Sequence, residues 1–335
     1  MKKHKIILTT GFNTPFSGAG LLIGFVFLVS LFVSCASAPR IPGPVIGDEL
    51  PELSMLPAGG RLYLWADTVE SRPLLEVLSS GFISGRDAQR MFDSTGTAAA
   101  VIFEQGHDRS FFLSATGNYP RRRGNFALTV SRGWEMHRGH ERQIYWRADD
   151  SGIAIALGRD LALVSNRDPF EVIEREIPPL AFMDFRRGLP LAGWIVNPSE
   201  PLNGFLQGVG VPLQIPAEEL FFGVNRSVAN TLEENGNNEE LWDLAMRVKT
   251  PSETAARMLL GPFMLARIFV MAMAPEGAGG DRLFSDAGSM SLQEAILLFF
   301  SNMPEQDGEF LTFRINAITA NTMALLFNIF SVYSN

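Results

Sequence analysis

Apolar residues along this chain fall into three patterns: one unbroken block near the start, short strand-length runs through the middle, and broader helical stretches toward the end. The block runs from Leu21 to Val33 without a charge and follows Lys2, Lys3 and Lys5, the order of a cationic start and a membrane-entering segment. Residues 36–57 then carry Pro39, Pro42, Pro44, Pro51 and Pro57. Each proline removes a backbone donor and fixes φ, so neither a helix nor a central strand is expected there. Arg61–Ala66 is short and aromatic and lies behind Gly59-Gly60, which predicts a strand; Arg72–Leu78 opens on proline with helix-spaced leucines, which predicts a helix. From Thr97 the chain turns to strand-like runs at 98–103, 110–115, 125–131, 143–147, 152–156 and 161–165. Gly117-Asn118, Asp149–Gly152 and Gly158–Asp160 separate them at hairpin spacing.

The second half opens with a similar rhythm. Ala192–Asn197 followed by Pro198–Leu206 echoes Leu62–Trp65 followed by Arg72–Leu75, which reads as two similar subdomains. Glu219–Asn225 and Leu241–Lys249 are further strands, joined through an acidic, Asn-rich turn from Glu233 to Glu240 that should face solvent. Thr250-Pro251-Ser252-Glu253 has the form of a capping box and starts an apolar helix reaching Met273, with Pro262 expected to bend it. A second box, Ser291 to Glu294, opens a helix over Ala295–Phe300; a strand at Glu309–Asn316 and a last apolar helix over Thr322–Phe330 follow. The expected class is α+β: an antiparallel sheet built from hairpins with helices packed against it. Residues 1–34 form a signal segment, 35–57 a Pro-rich tether, 58–187 a β-rich subdomain, and 188–335 a second sheet-and-helix unit.

Cys35 is the only cysteine of the 335 residues, and it stands immediately behind the apolar block and small Ser34. Phe32-Val33-Ser34-Cys35 resembles the lipobox of bacterial lipoproteins. Phe32 occupies a place where such boxes usually carry Leu, Val or Ile, a looseness similar to that of spirochaetal lipoproteins. The resemblance implies cleavage before Cys35 and a lipid on its sulfur. The alternative is an uncleaved anchor, since Gly18–Ser34 is 17 uncharged residues, at the lower edge of the ~17–25 that span a bilayer. Either reading places the body outside the cytoplasm, because the lysines precede the apolar block and none follows nearby. A fully extended 22-residue tether would reach ~70 Å at ~3.1 Å per residue. Leu56–Asp67 also looks like the start of bacterial envelope proteins without an assigned activity, which carries no function with it.

The whole chain has a formal charge of −8, and removal of the three early lysines takes the body to about −11, so nucleic acid is not an expected partner. With Cys35 acylated, no thiol remains for a disulfide, and stability must come from packing. Lys249 is the only lysine after the signal, which excludes most lysine chemistry.

Catalytic signatures are sparse. The sequence contains no G-x-S-x-G, P-loop, G-x-G-x-x-G or H-E-x-x-H pattern. The polar stretch Trp134–Arg142 places His137 and His140 between Glu135 and Glu141, but two histidines are half of a zinc site, and a solvated hairpin loop is the plainer reading. Arg121–Arg123 reads as a charged hairpin tip rather than an anion clamp. No catalytic residue, metal or cofactor is expected.

The C-terminal third holds 8 of the 13 methionines, and from Met258 to Ala274 only Arg267 is charged. A helix apolar almost all round is buried on several sides or touches something apolar. Core helices over a sheet are the plainer reading, yet Met258, Phe263, Met264 and Met271 are the candidate residues for an apolar ligand. The leading expectation is therefore a non-enzymatic, lipid-anchored envelope protein that touches the membrane through its anchor and binds a lipid, another hydrophobic ligand or an envelope partner. The competing readings are a purely structural lipoprotein with its apolar helices in the interior, and a periplasmic hydrolase using acidic residues or the His137/His140 loop.

Overall fold

The computed structural model describes residues 51–79, 89, 92–105, 108–131, 133–139, 143–149, 151–171, 178–208, 213–234, 237–272, 297–300, 302–324 and 326. The expected signal segment, Cys35 and the box expected at 291–294 lie outside them.

The chain enters the fold through α1 (Pro51–Ser54), followed by β1 (Leu62–Asp67), α2 (Arg72–Ser79) and the long hairpin β2 (Thr95–Gln105) and β3 (Asp108–Gly117). Next come α3 (Arg121–Val130), β4 (Trp134–Arg138), β5 (Ile144–Ala148), β6 (Ala154–Leu157), β7 (Leu161–Ser165) and α4 (Leu180–Phe185). The second half comprises β8 (Leu191–Val196), α5 (Ser199–Gly208), β9 (Glu219–Glu234), β10 (Asn237–Lys249), α6 (Glu253–Ala272), β11 (Glu305–Asp307) and β12 (Phe310–Thr319).

All twelve strands join one antiparallel sheet in the order β11-β12-β10-β9-β8-β1-β2-β3-β7-β6-β5-β4. The two halves share this one sheet: β8 pairs with β1 through Tyr63↔Trp194 and Leu64↔Gly193 and joins them at its centre. Each half nevertheless runs strand, helix, long hairpin (β1-α2-β2-β3 and β8-α5-β9-β10), as the sequence echo suggested. Gly193 permits the central contact: a Cβ there would lie 2.6 Å from the Tyr63 carbonyl oxygen and 2.5 Å from the Phe222 ring.

Period-two alternation sends side chains to opposite faces. In β1, Leu62, Leu64 and Ala66 pack into one core with α2, α3, α5 and α6, while Tyr63 and Trp65 enter another beneath α1 and α4. The second core is centred on Trp194, which stacks on Tyr63 at 4.2 Å and meets Phe182 at 4.3 Å.

Four local expectations are corrected. Proline-rich 35–57 ends in helix α1, with Pro51 at the first helical position, where its missing donor costs nothing. Leu53 and Leu56 are buried, and Glu52, also buried, accepts a 2.6 Å hydrogen bond from Trp65 Nε1. The strand expected at 125–131 is the body of α3: its buried residues Gly124, Asn125, Ala127 and Leu128 follow helical spacing, and packing overrides the β preference of Phe126, Thr129 and Val130. Arg121–Arg123 consequently begin a helix instead of tipping a hairpin. Thr250 does not cap α6. It is buried, its hydroxyl donates to main-chain oxygens of Ser252 and Glu309, and Ser252 Oγ instead accepts from the Ala255 amide at 3.1 Å. The fourth concerns Trp134–Arg138, a sheet-edge strand rather than a loop. Its polar residues reflect an edge that is only half covered.

Candidate functional site

The apolar helix α6 is the feature on which sequence and structure meet. Its inward stripe is Ala256, Phe263, Ala266 and Val270, spaced as one helical face. Phe263, 2% exposed, fits among Phe300 at 4.7 Å, Phe313 at 5.1 Å and Phe299 at 6.2 Å, which fasten the helix to β12 and the segment before β11. The Arg267 guanidinium donates to the Phe300 carbonyl at 3.1 Å and is held along the flank.

The outward stripe is unusual for a protein surface. Met258 is 67% exposed, Leu265 69%, Met264 55% and Phe269 48%, and Ile268 and Met271 stand beside them. The other exposed positions from 258 to 272 are Gly261, Pro262 and Ala272, so no charged or hydrogen-bonding side chain breaks the stripe. Fifteen residues at ~1.5 Å each give it a length of ~22 Å. Charges lie at its start, where Arg257 pairs with Glu253 at 2.7 Å. Of the candidate residues, the structure places Met258, Met264 and Met271 on the exposed face and Phe263 on the opposite one. Leu265, Ile268 and Phe269 complete the exposed face. Sequence reading missed them because an all-apolar helix does not say which side turns outward.

Contiguous exposed apolar area of this kind marks an interaction surface. The helix is also the one span among the described residues long and apolar enough to cross a membrane, with 22% of its most apolar window buried. The aromatic pins beneath it argue for a helix held on the sheet.

A second concavity lies at the end of β2 and β3, a cleft of about 440 Å³ lined by Thr68, Arg72, Phe92, Asp93, Thr95 and Asn118 among others. Arg72 is already taken, by Glu76 at 2.9 Å and Asp93 at 2.7 Å; those two hydrogen bonds raise the guanidinium pKa above its ordinary value, and among the described lining residues no other cation faces the cleft. His137 lies 3.8 Å from Glu135 and stacks on Tyr145 at 5.4 Å, while His140 and Glu141 lie outside the described residues.

The arrangement defines an α+β protein with an open twelve-stranded antiparallel sheet, helices on both faces, and one helix exposing an apolar stripe. It is similar to TP0453, an outer-envelope protein of the spirochaete Treponema. Crystal form III matches with a TM-score of 0.51 at 14% identity over 83% of this chain and 97% of that one. Crystal form I matches with a TM-score of 0.50 at 15% identity over 84% and 97%. At such identity the likeness is one of fold. No family model and no curated protein sequence matches the chain.

Proposed function

We propose that the chain is a non-enzymatic, lipid-anchored envelope protein that lays the outward face of α6 onto the apolar phase of a membrane. The observation that carries this reading is the uncharged stripe from Met258 to Met271, exposed while Phe263 is pinned inside. Such a face is costly in water at roughly 25 cal/mol per Å² of apolar surface and is stabilised against lipid. The lipobox supplies the reach. The 15 residues between Cys35 and Pro51, the first described residue, could at most hold Pro51 ~45 Å from an acylated sulfur if extended at ~3.1 Å per residue. Interior placement of the apolar helices, the basis of a purely structural role, does not describe α6.

Vesicle flotation tests the reading on the body beginning at Ala36, which lacks the anchor. The native body should rise with phospholipid vesicles, and Leu265→Glu/Phe269→Glu, both on the exposed face, should leave it at the bottom with an unchanged melting temperature. A native body that never floats contradicts the proposal.

A further inference from the structure

The sheet ends differently at its two sides. At one side β11 is only three residues long, and Asn302 Nδ2 donates to the Arg314 carbonyl beyond it. That blunts the edge. At the other side β4 is the last strand, and no described strand covers its outer edge.

Backbone polarity on β4 follows from its register with β5. Gly139 and Asp149 donate to Gln143 and Gly133 respectively, so the odd-numbered residues 133–139 exchange hydrogen bonds with β5. In an antiparallel ladder the alternate residues point theirs the other way. The amides and carbonyls of Trp134, Met136 and Arg138 therefore face outward in a row. Trp134 is half-buried, and Met136 and Arg138 are exposed.

This strand is complementary to itself. Antiparallel pairing of two copies about Met136 sets Met136 opposite Met136 and Trp134 opposite Arg138, a cation-π pair, and joins every outward backbone group to a partner. The same register sets Glu135 opposite His137, a carboxylate against an imidazole. Centring the pair on Glu135 or His137 would instead oppose like residues. The same test fails at β11, where pairing about Gln306 opposes Glu305 to Asp307. We infer that two copies of this chain associate edge to edge through β4, about a two-fold axis at Met136, into one continuous sheet. The site is separate from α6, which packs against β11 and β12 at the far end.

The test uses the full lipoprotein in membranes or mild detergent. Opposed residues of a hydrogen-bonded antiparallel pair lie ~5.5 Å apart at Cα, within disulfide range. Met136→Cys should give a covalent dimer on mild oxidation, whereas Val228→Cys, 91% exposed on β9, should remain monomeric. Without oxidant, sedimentation of Glu135→Lys should show dimer association weakened about tenfold, and adding His137→Glu should restore it. Cross-linking of Met136→Cys no greater than of Val228→Cys overturns the inference, as does a dimer indifferent to both the single and the double charge change.

Discussion

Single side chains in this protein show how far local chemistry is fixed by burial. Tyr119 is 3% exposed, and its hydroxyl meets Thr95 Oγ1 at 3.1 Å. Burial pushes its phenol pKa above the usual ~10, and the Thr95 hydrogen bond offsets only part of that rise. A proton held more tightly in the folded than in the unfolded state stabilises the fold below the unfolded pKa, and that contribution is lost as pH rises through the folded one. Urea titrations should show native stability declining from about pH 10 upward. Tyr119→Phe should lower neutral stability by about 0.5–1.5 kcal/mol through the lost hydrogen bond and flatten the alkaline decline. An equally steep decline in the variant would assign it to another group. Cys35 and the outward methionines were legible from sequence as residues of interest, because an apolar block before a thiol and a cluster of thioethers are patterns of order alone. Their partners are not. Glu52, read as part of a tether, is buried under Trp65 because its neighbours Leu53 and Leu56 bring α1 into the core.

Elements were legible where short apolar runs lay between turn residues. The strands expected at 61–66, 98–103, 110–115, 161–165, 219–225 and 241–249 are such runs and form as expected, within longer ladders in several cases. Two segments misled. The α3 segment has strand-forming residues whose helical spacing shows only in which of them are buried, and β4 has the polarity of a loop because one side of its backbone faces no described strand. Joining of the halves into one sheet was also hidden, since pairing of β1 with β8 connects segments far apart in the chain and depends on a residue with no side chain. Gly193→Ala tests that joint. The added Cβ would meet the Tyr63 main chain, which cannot rotate aside, so β1 and β8 must separate. Destabilisation of about 1–3 kcal/mol, the range of overpacked cores, is expected in chemical unfolding. A loss below a few tenths would mean that the centre of the sheet gives way easily.

At the scale of the whole molecule, packing and exposure divide along one helix. The sheet supplies a rigid platform, the Phe263 cluster fixes α6 to it, and the opposite stripe is left apolar and uncovered by any described residue. Sequence composition foretold an apolar helix but favoured burial, because core helices and interfacial helices share composition and differ only in what lies against them. The fold's likeness to TP0453 adds a precedent for the architecture and leaves the surface to be judged on its own chemistry.

The most direct test reads the environment of that surface in the presence of membrane. In a Cys35→Ser background, Leu265→Cys carries the sole thiol of the chain, and an environment-sensitive fluorophore placed there, with the protein mixed with vesicles, reports on the outer face of α6. Blue-shifted emission, quenched by spin-labelled lipid but not by aqueous iodide, is the result expected, with the same probe at Val69→Cys remaining aqueous. Emission at position 265 as aqueous and iodide-accessible as at Val69 would contradict a membrane-facing α6.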